Sequence, residues 1–129
     1  MTIADTDVLI DYLAGCGQAD SVEQLLRRGA IRTTVISRFE LLSGAKNPRQ
    51  LERIVQLLAA IPSLELNDAA TDAASEIRRE LEKAGNPIGM ADCLIAGIVT
   101  SNNATLLTRN RRHFGRIPGL MLSPSTRSG

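Results

Sequence analysis

Tryptophan is absent from this chain of 129 residues, and the aromatic rings number three: Tyr12, Phe39 and Phe114. So few rings argue against an RNA-binding platform that stacks successive bases on aromatic side chains. Cysteine occurs twice, at Cys16 and Cys93, with no CxxC spacing. That argues against a disulfide framework and a structural zinc site, and fits a reducing, cytoplasmic setting. No apolar run approaches the ~20 residues of a membrane span, and the opening MTIADTDVLIDYL lacks the basic start of a signal peptide. Acidic residues are missing after Asp92: from Cys93 onward there are five arginines and no Asp or Glu. The net charge of +1 therefore hides an acidic body and a basic C-terminal segment. Such a segment is either a solvated surface or a place to meet phosphate.

What is present is ordinary globular material, 43% apolar and 22% charged, so the chain has enough apolar surface to fold without staples. Its length suits one domain, expected over 1–122, with 123–129 as a loose tail. Thr2–Ala4 reads as a strand and Asp7–Ala14 as a helix. Ser21–Arg28 follows as a helix stopped by Gly29, then β-branched Ile31–Thr34 as a strand. Val35–Ala45 returns to helical period. Pro48 opens a helix whose stripe is Leu51, Ile54, Val55, Leu58 and Ile61, ended by Pro62. Leu64–Leu66 is a candidate strand. Asp68 is then expected to cap a long helix with Ala70, Ala73, Ala74, Ile77 and Leu81 inward. Met90–Thr100 is an apolar helix, Ala104–Leu107 a strand, and Leu120–Leu122 a further short strand. Strands alternating with helices predict an α/β fold: a four- to five-stranded, mainly parallel sheet with helices on both faces. Ligands of such sheets sit beyond the carboxyl ends of the strands.

Carboxylates stand at those ends. Asp5 closes the first strand, where it suits a helix cap as well as chemistry. Glu40 lies mid-helix with Ile36 and Gly44 on its own face. There an ionised group is costly unless paired or metal-bound; an exposed Glu, or one paired with Arg38 or Lys46, is the plainer alternative. Asp92 falls in the first turn of its helix, where the macrodipole alone would favour it. Asn110 follows the fourth expected strand and suits an Asx turn or cap; the sole histidine, His113, comes next and reads most simply as a surface residue. A parallel sheet would gather these groups. Like charges 4 Å apart repel by about 4 kcal/mol at an effective dielectric of 20, and a cation relieves the repulsion. Oxygen ligands suit Mg²⁺ or Mn²⁺ rather than zinc.

Four strings in order, Ile3-Ala4-Asp5-Thr6-Asp7-Val8-Leu9-Ile10-Asp11, Thr34–Gly44, Ala91–Ala96 and Leu106–Phe114, resemble the PIN domain, and specifically VapC-type toxins of type II toxin–antitoxin systems. The resemblance spans Thr2 to about Leu122. It implies a PIN-like three-layer fold and a Mg²⁺- or Mn²⁺-dependent endoribonuclease acting on RNA. It also implies neutralisation by a cognate VapB-like antitoxin, and a homodimer. Carried over, Asp5, Glu40 and Asp92 form the acidic cluster, with Asp5 and Asp92 as the direct metal ligands and Glu40 as a ligand through water or the group that activates it. Thr6, Thr108 and Asn110 would position these groups by hydrogen bonds. Arg109, Arg111, Arg112 and Arg38 would hold flanking phosphates. Asn110 and His113 stand where many members carry acids, which argues against tight binding of a second metal. Asp7, where Ser or Asn is more usual, restores some charge.

Two other readings fit parts of the pattern. Asp5-Thr6-Asp7-Val8 resembles the nucleophile motif of haloacid dehalogenase-type phosphatases, but no acidic pair follows Asp92. A PIN-like binding module that has lost catalysis would account for Asn110 and His113 but not for the retained Asp5, Glu40 and Asp92.

Overall fold

The structure, a computed structural model, describes residues 1–124. Five parallel strands form one sheet in the order β3-β2-β1-β4-β5: β1 (Thr2–Ala4), β2 (Ile31–Thr34), β3 (Ser63–Leu64), β4 (Thr105–Leu107) and β5 (Met121–Leu122). Around it lie α1 (Thr6–Ala14), α2 (Ala19–Arg27), α3 (Val35–Ser43), α4 (Pro48–Ala60), α5 (Asp68–Lys83), α6 (Met90–Ser101) and the single turn α7 (Arg111–Phe114). The expected α/β class and parallel sheet are therefore observed.

Side chains along a strand alternate between faces, and here the alternation divides two cores. Ala4 and Leu107 point into a core shared with Val8, Leu9, Ile54 and Leu58 from α1 and α4. Their neighbours Ile3 and Leu106 point into a second core with Ile77, Ile95, Val99 and Phe114 from α5, α6 and α7. The sheet is thus the middle of three layers.

The boundaries shift at several places, each for a local reason. Helix α1 begins at Thr6 because the Asp5 carboxylate accepts the Thr6 N–H at 2.8 Å. Strand β3 begins earlier than expected, at Ser63, pairing Thr33 with Ser63 and Thr34 with Leu64. The Pro62 carbonyl takes the Thr33 N–H at 3.0 Å, a role open to proline at the start of an edge strand. Asn67, not Asp68, caps α5: its side-chain oxygen accepts the Ala70 N–H at 2.9 Å, and Asp68 sits in the first turn. In α4 the inward stripe is Ile54, Leu57 and Leu58, continued by Ile61 just past its end, whereas Leu51 and Val55 are exposed. The helix buries one narrow face, and those two residues fall on its outer flank. The expected tail from 123 is partly outside the described residues; Ser123 itself is held, its N–H donating to the Leu106 carbonyl at 2.8 Å. Among the described residues no helix is long and apolar enough to cross a membrane.

Helices α5 and α6 pack closely because Gly97 lacks a side chain. A Cβ there would collide with the Ala70 carbonyl and with Ala74. Gly97→Ala should lower the unfolding free energy by about 1–3 kcal/mol, because both neighbours are helix backbone or Cβ and must move together. Urea unfolding followed by circular dichroism measures this loss.

Candidate active site

The chain order reverses between β1 and β4, so the crevice beyond their carboxyl ends is the switch point of the sheet. Two residues close it. The Asp5 N–H donates to the Leu107 carbonyl at 2.9 Å, extending the ladder by one step beyond β1. The Thr108 hydroxyl donates to Asp5 Oδ2 at 2.7 Å. Asp5 is only 5% exposed. Burial pushes its carboxyl up to about 7, with the charge of Asp7 as the next cause and Asp92 adding to it. The hydrogen bonds from Thr108 and the Thr6 N–H oppose the rise. Asp5 is thus both the helix cap and a carboxylate whose ionisation its surroundings resist.

Asp7, one half-turn on, accepts the Arg109 N–H at 3.1 and 3.3 Å and lies 3.3 Å from the Thr108 hydroxyl. Its carboxyl too is raised by burial, against the pull of the Arg109 N–H and guanidinium. Asp92 enters from the first turn of α6, half-buried. Burial raises it first and the Glu40 charge second; nearby His113 lowers it, and Asp7 raises it further. Glu40 is held from α1: the Thr6 hydroxyl donates to Glu40 Oε1 at 2.6 Å and lies 2.8 Å from Ser37 Oγ. Ser37 is fixed in turn by its N–H, which donates to the capping Thr34 hydroxyl at 3.1 Å. Asp5, Asp7, Glu40 and Asp92 therefore share one electrostatic environment, although they come from three helices and a strand end.

Other expected residues are placed differently. Asn110 occupies the N-cap position of α7 but makes no side-chain cap; its N–H donates to the Thr108 hydroxyl, and its amide meets His113 Nδ1 at 3.1 Å. Arg109 is paired through Nε with Asp11 at 3.3 Å, and Arg111 Nη1 donates to the Ser123 carbonyl at 2.7 Å. Arg38 and Arg112 are exposed, and their side chains form no hydrogen bond or ion pair among the described residues. Sequence reading missed the contributions of Asp11 and Ser37. The signal for Ser37 was its position three residues after Thr34 at a helix start. A cleft of about 390 Å³ opens beside Glu40, lined by Ile10, Leu13, Gly44, Gln50 and Arg53. Gly44, which shares a helix face with Glu40, lines this cleft and also ends α3.

The donor set fits a divalent ion of the hard class: carboxylate oxygens whose mutual repulsion a cation would relieve. Among the described residues no three His, Cys, Asp or Glu side chains stand in a ready metal-binding group.

The model of the PIN domain matches residues 2–120. The chain belongs to the PIN-domain family, within its VapC group. The tRNA(fMet)-specific endonuclease VapC of Shigella flexneri is 32% identical over 99 residues, covering 74% of this chain and 75% of that relative. Among solved structures, VapBC2 from Rickettsia felis bound to a DNA fragment from their promoter matches with TM-score 0.83 and 28% identity, over 95% of this chain and 96% of that one. VapBC-1 from nontypeable Haemophilus influenzae matches equally well, with TM-score 0.83 and 29% identity over 98% of each chain. PIN membership displaces the phosphatase reading of Asp5-Thr6-Asp7-Val8.

Asp5 carries a pH signature. Its folded carboxyl lies near 7, above the ~3.9 of an unfolded Asp. Between those values the folded state keeps a proton that the unfolded chain has lost, so its stabilising share is full below about pH 4 and is lost as pH rises through about 7. Without divalent metal, Asp5→Asn should therefore be more stable than wild type at pH 8, by on the order of 2 kcal/mol, and the gap should close toward pH 4.5. Urea titrations in EDTA at the two pH values check both the sign and the window.

Proposed function

We propose that this PIN domain is a Mg²⁺- or Mn²⁺-dependent endoribonuclease toxin, neutralised by a VapB-like antitoxin. The observation that carries the reading is the buried Asp5 carboxylate at the switch point, coupled to Asp7 and Asp92 and resisting ionisation in the absence of a cation. The VapC relatives named as endonucleases supply the substrate class, RNA.

Asp5 and Asp92 would hold the ion, with Glu40 reaching it directly or through water. A bound ion supplies charge stabilisation to the phosphoryl oxygens and lowers the pKa of water. The rest falls to the chain itself. Glu40, oriented by the Thr6 hydroxyl, takes the proton of the attacking water. The water oxygen forms the new bond to phosphorus in line with the leaving ribose oxygen, whose bond breaks and which takes up a proton from solvent. Thr108 keeps Asp5 in place and, through the Asn110 N–H, fixes the loop after β4. Arg38, Arg109, Arg111 and Arg112 form the basic margin for flanking phosphates.

The VapBC structures support a VapB-like partner. The cleft beside Glu40 suits it: apolar walls from Ile10 and Leu13 lead to a carboxylate that a partner's arginine could pair. The exposed Phe39, Leu51 and Val55 offer further apolar surface for the antitoxin or for a second copy of the chain in a homodimer.

Cleavage of a labelled RNA should require Mg²⁺ or Mn²⁺ and stop in EDTA. Asp92→Asn and Glu40→Gln should each slow it by roughly 100-fold or more with melting temperature unchanged or raised. Cleavage indifferent to EDTA and to both substitutions overturns the metal mechanism. Metal-responsive RNA binding without cleavage would instead favour the impaired binding module, which the Asn110–His113 contact at a usually acidic position makes the one serious rival.

A further inference from the structure

We propose that Asp11 is a positioning residue, which holds the Arg109 guanidinium at the rim of the acidic site to grip a phosphate of the RNA. The inference rests on the ribonuclease reading above and adds to it a residue given no role there.

Asp11 is only 3% exposed, although it sits in the middle of α1. It lies one helical turn beyond Asp7, on the same face. A buried carboxylate next to a site already crowded with negative charge is unfavourable unless partners satisfy it. Two partners do. The Gln18 N–H donates to Asp11 Oδ2 at 3.0 Å, and Arg109 Nε lies 3.3 Å from the same oxygen. The loop after α1 can close on the carboxylate only because Gly17 adopts φ +55°; a Cβ there would strike the Asp11 side chain.

Arg109 is consequently held at two points. Its backbone N–H donates to Asp7, and its Nε forms an ion pair with Asp11. Its terminal nitrogens, Nη1 and Nη2, form no hydrogen bond or ion pair among the described residues, and its side chain is 53% exposed. The ion pair with Asp11 engages the Nε edge of the planar guanidinium and leaves the other two nitrogens as a fork, the geometry that takes two oxygens of one phosphate. The fork belongs to the residue that follows Thr108, and Thr108 is hydrogen-bonded to Asp5, so a phosphate held there lies beside the acidic site.

A double-mutant cycle tests the coupling. The probe is a fluorescein-labelled single-stranded RNA, titrated into the full chain in EDTA at several salt concentrations, so that binding is read without cleavage. Arg109→Ala should weaken binding by about tenfold and reduce the salt slope by about 0.7, the loss of one phosphate contact on single-stranded nucleic acid. Asp11→Asn removes a negative charge and, on electrostatics alone, should tighten binding. Positioning predicts the opposite: a weakening of about threefold, with the Asp11→Asn/Arg109→Ala double variant no weaker than Arg109→Ala. In Mg²⁺ the Asp11→Asn defect should then appear in KM and leave kcat nearly unchanged.

Binding by Asp11→Asn as tight as wild type or tighter, or independent losses that multiply in the double variant, overturns the proposal. If circular dichroism shows Asp11→Asn unfolded, Arg109→Lys takes its place. It keeps the charge but loses the fork and should weaken binding to a similar degree; wild-type affinity there overturns the inference. Failure of wild type itself to bind or cut RNA defeats the ribonuclease reading as a whole. RNA binding by wild type that Arg109→Ala leaves untouched defeats only this inference.

Discussion

The parallel pairing of β1 with β4 brings together two strand ends that lie 103 residues apart in the chain, and the site hangs on that junction. The Asp5 N–H continues the ladder to the Leu107 carbonyl, and the Thr108 hydroxyl closes onto the Asp5 carboxylate from the other strand. An acid is thereby locked where water is scarce. Burial raises Asp5, Asp7 and Asp92, and the charge of neighbouring carboxylates adds to the rise at Asp5 and Asp92. The two cores that flank the parallel sheet supply the folding free energy that offsets the cost of burying these acids.

Much of this was readable from residue types in order. Asp5, Glu40 and Asp92 each had a plainer structural role alone, and they stood out only together, because a parallel sheet would gather their strand ends and helix starts. Their common electrostatic environment in the folded chain follows from a sheet topology that the same pattern implies. Thr6 and Thr108 entered only through the resemblance to the PIN domain, and the structure places both hydroxyls on the acids. What escaped was anything decided by pairing across the fold. Nothing local marks Asp11 as buried, since its partners are a loop N–H after Gly17 and an arginine 98 positions away. Nor does a run of arginines reveal which of them are committed: Arg109 and Arg111 have acceptors within the protein, while Arg38 and Arg112 do not among the described residues. The cap of α5 failed for a smaller reason. Asn67 and Asp68 are both good caps, and only the backbone's turn into the helix chooses between them.

Hydroxyl groups, more than charges, give the site its order. Thr34 fixes Ser37, Thr6 links Ser37 to Glu40, and Thr108 joins Asp5, Asp7 and the Asn110 N–H. A hydroxyl can donate to a carboxylate and accept from an N–H at once, so it can order an acidic cluster without neutralising it. Lysine in these places would hold the same acids as ion pairs and cancel the field that attracts a cation. The chain keeps its one nearby histidine exposed and its arginines at the margin, leaving the interior of the site to threonine and serine.

Because all the strands run the same way, the two ends of the described chain leave the sheet on opposite sides. Met1 precedes β1 at the amino edge, where its carbonyl accepts the Thr105 N–H. Ser123 follows β5 at the carboxyl edge, where Arg111, two residues after Arg109, grasps its carbonyl. The two ends of the described chain are therefore unequal handles for anyone inserting a tag, a dye or a surface linker. One placed before Met1 begins its path behind the molecule, and one placed after Ser123 begins at the threshold of the acidic site.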